Sequence, residues 1–541
     1  EVFYRSTGKN VGQYKLSGRF ATSTSRDDLR QNRELSMVSS NFEGSIDNDA
    51  SLGYVEWIFE IQNRSEFARA EAVGQIQMPE DSVVSRVTLW IDGEEREAAY
   101  AERNKVTEAY EAVVSTNRDP VLVTTSGKDR IDMKCFPVMP KGGKMKVKIG
   151  FTFPLMLENR TSGMLHLPYF RSNNFRIDDS QKHGVSVLST RQLQMADGVA
   201  KSESEGRFHL LKYDLKNVDI ANAKAPIIAE RDPDTNAVWG YYDNTYIKQE
   251  IRIATGEKPS RYIFVVDTSE AMKNKKESLI EALKSLDETK KIGLVLTHGN
   301  ALNQSSAYPE SHMGSPSEIS EKLSKAEFGG GTDNLPALIK ARSLANEIPG
   351  GVVIWVHSPQ PFIFKGSSDL ADKLIRSSNQ THVYNISASN ETDEVGNRLG
   401  DLNFLRNVAR YGDLKNDVNR LVSRLDRSVN KFTYIRTIDT NARETVKKKT
   451  SKHMIRLWAF DEVNEILLTE KSEKDAIDLA LKYQLVTPVT GAVVLETKEQ
   501  YDAAGLKPAE KPVVHAVPEP ETYLMLLAGI LFVFFVVRRT G

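Results

Sequence analysis

Polar side chains that can bind a ligand or move a proton follow several apolar runs in the second half of the chain. Asp267 and His357 each end such a run, and their neighbours are hydroxyl and carboxylate residues. Because the carboxyl ends of parallel strands meet at one edge of a sheet, we expect these side chains to cluster there. An edge of this kind mixes carboxylate, hydroxyl and imidazole groups, and His357 would make binding depend on pH near neutrality. The candidate set is Asp267, Ser269, Thr332, Asp333 and His357.

The sequence lacks the motifs that usually carry catalysis. It contains no Gly-x-x-x-x-Gly-Lys-Ser/Thr loop, so glycines 329–331 do not form a phosphate-binding loop. It has no Gly-x-Ser-x-Gly or His-Glu-x-x-His pattern, and its nine histidines are scattered. Its one cysteine, Cys135, lies in a strand-like stretch, which favours a small buried side chain over a nucleophile. We therefore expect no enzymatic activity.

The elements that would position the candidate set alternate between strand and helix. Continuous apolar runs are typical of parallel strands that are buried on both faces. Such alternation predicts a doubly wound α/β domain, which we place at residues 258–430. The predicted strands are 261–267, 291–299, 351–357 and 382–388. The predicted helices are 279–286 and 335–348.

This order of elements resembles the von Willebrand factor A domain. That family carries a metal-ion-dependent adhesion site with the pattern Asp-x-Ser-x-Ser, then a Thr in a Gly-rich loop, then an Asp after a central strand. Asp267, Ser269 and Thr332 match it, whereas Ala271 and His357 replace the last Ser and the last Asp. The resemblance implies Mg²⁺ or another divalent cation, but these two replacements predict weak or absent binding. The alternative is a rebuilt site that uses Asp267, Ser269, Thr332 and either Asp333 or His357.

The first half of the chain is predicted to be rich in β-strands. Apolar and polar residues alternate in several runs, and Asp92-Gly93 predicts a hairpin turn. The charged, alanine-rich run 94–114 predicts a helix. The predicted strands are 54–63, 72–79, 83–93, 129–140 and 144–155.

These elements resemble the VIT domain of vault-associated and inter-alpha-trypsin-inhibitor heavy-chain proteins. The resemblance rests on the strand pair, on the helix with Tyr100 and Ala109-Tyr-Glu-Ala112, and on Phe136-Pro137 before a basic strand. It implies an interaction module without a catalytic centre at residues 46–175. A lead-in segment, 1–45, precedes the module, and a β-rich connecting region, 176–257, follows it.

Residues 431–500 resemble the segment that follows the A domain in the same heavy chains. The resemblance rests on the stretch 480–496, which contains Thr487-Pro488 and Thr490-Gly491. It implies that a β-rich VIT-like domain and an α/β von Willebrand A-like domain belong to one multidomain protein.

The last residues of the chain predict a stalk followed by a membrane helix. Prolines in residues 501–520 favour extended, solvated backbone. Residues 523–537 are apolar and uncharged, and Arg538 and Arg539 follow at once. About fifteen helical residues at ~1.5 Å each cover roughly 22 Å, less than the ~30 Å hydrocarbon core. The arginine pair places the C-terminus in the cytoplasm and the preceding domains on the far side.

The order Pro518-Glu519-Pro520, apolar run and basic pair closely resembles the PEP-CTERM sorting signal of Gram-negative bacteria. The resemblance covers about the last 25 residues and makes 521–541 a transmembrane sorting tail. It implies an exosortase-type membrane protease as a partner and a location in the bacterial cell envelope. A helix of this marginal length suits a transient signal better than a permanent anchor.

Composition limits the remaining functions. Lys and Arg (72) nearly balance Asp and Glu (73), which argues against binding to nucleic acid. The leading hypothesis is a non-catalytic surface protein that binds or scaffolds a protein or polysaccharide partner. The alternative is the soluble portion of a larger integral membrane component of the envelope sorting machinery. Sequence upstream would separate the two hypotheses, because a plain signal peptide favours the first and several membrane spans favour the second.

Overall fold

A computed structural model gives the architecture of the chain. It describes residues 32–115, 120–127, 129–157, 159–196, 198–206, 208–221, 226–242, 244–254, 258–297, 309–331, 333–358, 381–388, 405–408, 413–426, 431–442, 450–468 and 472–509.

The strands of the first half are β1 (Leu35–Asp47), β2 (Leu52–Asn63), β3 (Ala70–Gln77), β4 (Val83–Ile91), β5 (Glu94–Glu97), β6 (Ala99–Glu102), β7 (Val121–Gly127), β8 (Arg130–Val138), β9 (Lys144–Pro154), β10 (Met156–Leu157), β11 (Ser162–Leu165), β12 (Tyr169–Asn173), β13 (Lys182–Ser189), β14 (Leu193–Met195), β15 (Glu203–Glu205), β16 (Phe208–Lys216), β17 (Ile227–Glu230), β18 (Ala237–Tyr242) and β19 (Thr245–Ala254). The later strands are β20 (Arg261–Asp267), β21 (Ile292–Thr297), β22 (Glu310–Gly314), β23 (Gly351–His357), β24 (Val383–Ser387), β25 (Leu405–Asn407), β26 (Lys431–Ile438) and β27 (Thr490–Val494).

The helices are α1 (Arg103–Val114), α2 (Asn217–Ala221), α3 (Lys276–Lys284), α4 (Pro316–Lys325), α5 (Leu335–Asn346), α6 (Leu414–Asp426), α7 (Met454–Leu468), α8 (Glu473–Lys482) and α9 (Lys498–Ala503). A 3₁₀ helix, Glu270–Lys275, precedes α3.

Two antiparallel-rich sheets form a β-sandwich. One has the order β15-β16-β13-β1-β2-β9-β4-β5 and the other β12-β3-β8-β7-β27-β6. Alternate residues of the central strands face a shared apolar core, in which Trp57 and Phe151 of the first sheet join Ile131 and Met133 of the second. The predicted strands of the first half are therefore layers of one core, and strands from residues 176–257 and 490–494 extend both sheets.

Residues 94–114 correct one expectation, because only their second half is helical. Asp92 and Gly93 have φ of 53° and 82°, the conformation of a two-residue hairpin turn, which confirms the turn. The turn pairs β5 with β4 instead of starting a helix, with Glu95 opposite Trp90. The helical periodicity of this run was overridden by the turn and by strand pairing, and α1 begins only at Arg103.

Residues 261–426 form an α/β unit around the sheet β22-β21-β20-β23-β24-β25. All its neighbouring strands are parallel except β22, which runs antiparallel to β21. Even-numbered and odd-numbered residues of β20 pack in two apolar cores on opposite faces of the sheet. Tyr262, Phe264 and Val266 pack with α3, α4 and α6 on one face, whereas Ile263 and Val265 pack with α5 on the other. Helices on both faces are what the alternating pattern predicts.

The α/β unit is inserted between two paired strands. β19 and β26 are antiparallel neighbours in the three-stranded sheet β18-β19-β26, and Ala254 pairs with Lys431. After β26, helix α7 packs on this sheet and on the side of β4 and β9 that is turned away from the core of the sandwich. β27 then enters the second sandwich sheet between β7 and β6. The closing segment therefore completes the first domain rather than forming a separate one.

The predicted tail lies outside the described residues. This holds for Pro518, Glu519, Pro520, Arg538 and Arg539 and for the apolar run between them. Among the residues that the structure describes, no helix combines the length and apolar character needed to cross a bilayer.

Candidate ligand-binding edge of the α/β unit

The edge is built where β20 and β23 end side by side. These strands are parallel neighbours, so their carboxyl ends bring Asp267 next to the residues that follow β23. The chain after Asp267 turns into the 3₁₀ helix, and the glycine-rich loop lies against this turn. Gly329 donates its N–H to the carbonyl oxygen of Thr268 at 2.9 Å, and Glu270 donates its N–H to that of Gly330 at 3.0 Å.

The Asp267 carboxylate is fully buried and surrounded by hydrogen-bond donors. Ser269 donates its N–H to Oδ1 and its hydroxyl to Oδ2, both at 3.0 Å. Ser358 donates its N–H to Oδ2 at 3.0 Å and its hydroxyl to the same oxygen. The Thr297 hydroxyl lies 3.4 Å from Oδ1. Because a carboxylate offers about four acceptor positions, these donors satisfy it within the chain.

This arrangement does not fit a divalent cation. The three side chains that converge, Asp267, Ser269 and Ser358, supply one formal negative charge and are at most 5% exposed. A buried divalent cation needs more anionic oxygen or several waters, and it would have to displace the donors that now bind Asp267. Within the described ranges, no group of three or more His, Cys, Asp or Glu side chains could hold a metal ion. Ala271 is exposed and brings no oxygen atom.

His357 lies inside the sheet. Its side chain is fully buried, and its ring stacks on Trp355 with centroids 3.7 Å apart. Nδ1 donates to the carbonyl oxygen of Ser358 at 2.6 Å, and Nε2 lies 2.6 Å from the side-chain oxygen of Asn385. A neutral imidazole has one N–H, so a neutral ring requires the Asn385 amide to turn its NH₂ toward Nε2. At this position His357 packs within the protein instead of facing a ligand.

The remaining members of the candidate set take other positions. Asp333 is half-buried, and its Oδ1 accepts the N–H of Leu335 at 3.0 Å at the start of α5. The positive end of the helix dipole also stabilises a carboxylate at this position. Thr332 lies outside the described residues. The structure thus brings Asp267 and Ser269 together and gives Asp333 and His357 structural contacts.

Sequence reasoning missed the role of Ser358. This serine directly follows His357 and is not in the candidate set. Its N–H and hydroxyl both bind Asp267, in the part of the site where the family pattern predicts an ion. A hydroxyl residue directly after a buried strand that lies opposite an Asp is the signal that could have revealed this contact.

A family comparison matches the first domain. Residues 39–151 match the model of the vault protein inter-alpha-trypsin domain, VIT. This stretch is therefore similar to a VIT domain. The match begins within β1 and ends within β9, so it covers the centre of the sandwich and leaves out β27.

One curated relative is similar over part of the same region. Inter-alpha-trypsin inhibitor heavy chain H3 of Mus musculus is 28% identical over 112 residues, which is 18% of this chain. The matched stretch spans only 12% of the length of that relative. The similarity therefore concerns a single domain of each protein.

Solved structures overlap weakly with the chain. Manganese-loaded Plasmodium vivax TRAP protein has a TM-score of 0.21 and 13% identity over 37% of this chain and 84% of its own. A von Willebrand factor type A structure from Catenulispora acidiphila has a TM-score of 0.25 and 14% identity over 35% of this chain and 45% of its own. Scores this low do not establish a shared fold. The α/β architecture of residues 261–426 is established by its own strand order.

Proposed function

We propose that this chain is a non-catalytic protein of the bacterial cell envelope that binds or scaffolds a partner. The match of residues 39–151 to the VIT model carries the proposal. The sandwich around that match gathers strands from residues 35 to 494, so distant parts of the chain build one hydrogen-bonded scaffold. A scaffold with exposed loops and sheet faces is suited to presenting binding surfaces.

The contacts of buried hydroxyl groups support a non-catalytic function. Ser40 Oγ and His183 Nδ1 are 2.6 Å apart, the separation of a nucleophile and its base. Both residues are at most 3% exposed, and Trp57 donates its indole N–H to the same Ser40 oxygen at 2.8 Å. A substrate has no access to this pair. Asp267 is likewise saturated by internal donors, so neither site offers a free base to a ligand.

The C-terminal sequence supports the proposed location. The Pro-Glu-Pro element, apolar run and arginine pair match the order of a sorting signal, which implies cleavage by an exosortase-type protease and release from the inner membrane. The binding partner in this proposal is a protein or a polysaccharide outside the cytoplasm. The other candidate is the soluble portion of a larger membrane component of the sorting machinery.

Replacement of the Pro-Glu-Pro element tests the proposal. The variant with Ala at 518, 519 and 520 should accumulate at full length in the inner membrane, while the parent is shortened and moves to other fractions. Pro512→Ala, in the stalk outside the element, is the matched control and should behave as the parent. Mass spectrometry of the C-terminus in each fraction provides the measurement. If parent and variant fractionate alike with intact tails, sorting by this element is wrong.

A further inference from the structure

The sheet β18-β19-β26 has one packed face and one face that carries half-exposed side chains. On the packed face, Val238 and Ile247 join the core formed with α7. Gly240 belongs to this face as well, because a Cβ atom there would lie 3.0 Å from the Cβ of Met454. Since side chains alternate along a strand, the residues between these positions project from the opposite face. We call that opposite face the outer face.

Three aromatic rings stand close together on the outer face. Tyr241 of β18 is directly opposite Tyr246 of β19, and their ring centroids are 4.6 Å apart. Trp239 is two residues before Tyr241 on the same strand, a spacing of about 6.8 Å. Tyr241 is 42% exposed, and the other two rings are half-buried. The outer face thus presents a short row of rings to solvent.

Hydrogen-bonding groups border the rings of Trp239 and Tyr241. The indole N–H of Trp239 donates to Asp439 Oδ2, and the Tyr241 hydroxyl donates to Asn244 Oδ1, both at 2.8 Å. Lys248 forms an ion pair with Glu250 at 2.7 Å. The Lys248 ammonium lies 5.7 Å from the centre of the Trp239 ring, near the outer limit of a cation–π contact.

Among the outer-face side chains that the structure describes, cations and anions balance. Lys248 and Arg252 contribute two cations, and Glu250 and Asp439 contribute two anions. Hydrogen bonds from Lys248 and from Trp239 lower the pKa of Glu250 and of Asp439 respectively, so both carboxylates are ionised acceptors at neutral pH. A face without net charge gives no electrostatic preference for a polyanion such as nucleic acid or an acidic glycan.

Sugar rings match this combination of groups. One side of a pyranose ring consists mainly of C–H groups, which pack on an aromatic ring, while its hydroxyls lie around the edge. Those hydroxyls need both acceptors and donors, which carboxylate, amide, phenol and ammonium groups supply. An apolar protein partner would be better served by a continuous apolar patch than by rings separated by paired charges.

We propose that the outer face of β18-β19-β26 binds a neutral polysaccharide, with pyranose rings stacked on Tyr241 and Trp239. The inference rests on the proposed binding function and names the chemical class of its partner. Asp439, Asn244 and Glu250 accept hydrogen bonds from the sugar hydroxyls, and Lys248 donates to them. The surface is separate from the Asp267 edge, and it requires no metal ion.

Calorimetric titration of the full chain tests the proposal, in a detergent that has no sugar headgroup. The probes are β-1,4-linked glucose and mannose hexasaccharides, an α-1,4-linked glucose hexasaccharide and, as the acidic arm, polygalacturonate. At least one neutral hexasaccharide should bind. Tyr241→Ala should weaken that binding about tenfold, which corresponds to ~1.4 kcal/mol. Phe67→Ala removes a ring that is 90% exposed on another surface and should leave the affinity unchanged.

Every other result overturns the proposal. Equal affinity in the parent and in Tyr241→Ala places the binding elsewhere, and equal losses in Tyr241→Ala and Phe67→Ala indicate non-specific contact. Binding to polygalacturonate alone, or to no saccharide, excludes a neutral glycan. Tyr246→Ala provides a second variant, on the neighbouring strand, that should also lose affinity. If the saccharides fail while the Pro-Glu-Pro variant still accumulates in the inner membrane, only this inference falls.

Discussion

Two buried carboxylates, Glu56 in the sandwich and Asp267 in the α/β unit, are stabilised by different kinds of donor. Arg86 lies 2.8 Å from Glu56 Oε1, and Lys148, which is 1% exposed, lies 3.3 Å from Oε2. Burial by itself would raise the pKa of Glu56, but these two cations outweigh burial and lower it. Asp267 instead accepts hydrogen bonds from neutral hydroxyl and N–H groups.

The two carboxylates have different structural roles. Arg86 also binds Glu95 and Glu97 of β5, at 3.0 and 2.6 Å, so one guanidinium joins several strands of the sheet. The donors to Asp267 come from the loops that follow β20 and β23 and from the end of β21, so they fix only this edge of the α/β unit. A buried carboxylate among cations therefore cross-links the fold, whereas one among neutral donors closes a local site.

Removing Arg86 from the cluster around Glu56 should have the largest effect on stability. Arg86→Met leaves three glutamates near one another with less positive charge and should lower the free energy of unfolding by about 3–5 kcal/mol. Arg96→Met, which breaks an exposed pair with Glu94, is the control on neighbouring β5 and should cost less than about 1 kcal/mol. Urea unfolding of both variants measures the difference. Equal costs would show that the buried cluster is no more important than a surface pair.

Restoring the adhesion-site pattern should convert the neutral site into a metal site. In the parent, EDTA or Mg²⁺ should shift the melting temperature little, because internal donors satisfy Asp267. The triple change Ala271→Ser, His357→Asp and Ser358→Gly removes the Ser358 hydroxyl that binds Asp267, and it adds a hydroxyl and a carboxylate at the two positions where the family pattern has oxygen ligands. At a hundredfold excess over its dissociation constant, Mg²⁺ should then stabilise the variant by about 2.7 kcal/mol.

Differential scanning calorimetry with Mg²⁺ and with Mn²⁺ checks both halves of this prediction. The single change Ala271→Ser is the control and should respond as the parent does. A stabilisation of the parent itself by about 2.7 kcal/mol would mean that its donors give way to an ion. The contrast between the two carboxylates would then disappear.

His183 is a third buried titratable group, and it lies beside the hydroxyl of Ser40. Burial lowers its pKa to about 4, whereas an unfolded histidine has a pKa of ~6.5. Between these values the unfolded chain binds a proton that the folded chain does not, so stability falls as the pH falls. From pH 7 to pH 5 the expected loss from this residue is about 1.8 kcal/mol.

Unfolding at pH 7 and at pH 5 measures the contribution of His183. His183→Gln should reduce the loss between the two pH values, since glutamine does not titrate. His209→Gln, on the paired strand β16, controls for the removal of one imidazole. An unchanged loss in His183→Gln would assign the acid sensitivity to other groups.

The sequence predicted local order better than it predicted long-range contacts. The parallel strands of the α/β unit and the Asp92-Gly93 turn follow from patterns over a few residues. The pairing of β27 with β7 joins residues about 370 apart, and no local pattern records it. Asp267 and His357 do lie at the ends of strands. The direction of His357 depends on Trp355 and Asn385, which only the folded sheet brings together.

The pairing of Ala254 with Lys431 has a mechanical consequence. The α/β unit leaves and rejoins the sheet at adjacent positions on antiparallel strands, so it is a side branch of the chain. A pull between residues 32 and 509 is transmitted through the hydrogen-bonded strands of the sandwich, including β27, and across the β19–β26 pair. As long as that pair holds, the inserted unit carries none of the load. A protein built in this way can be stretched along its backbone while its inserted unit keeps its shape.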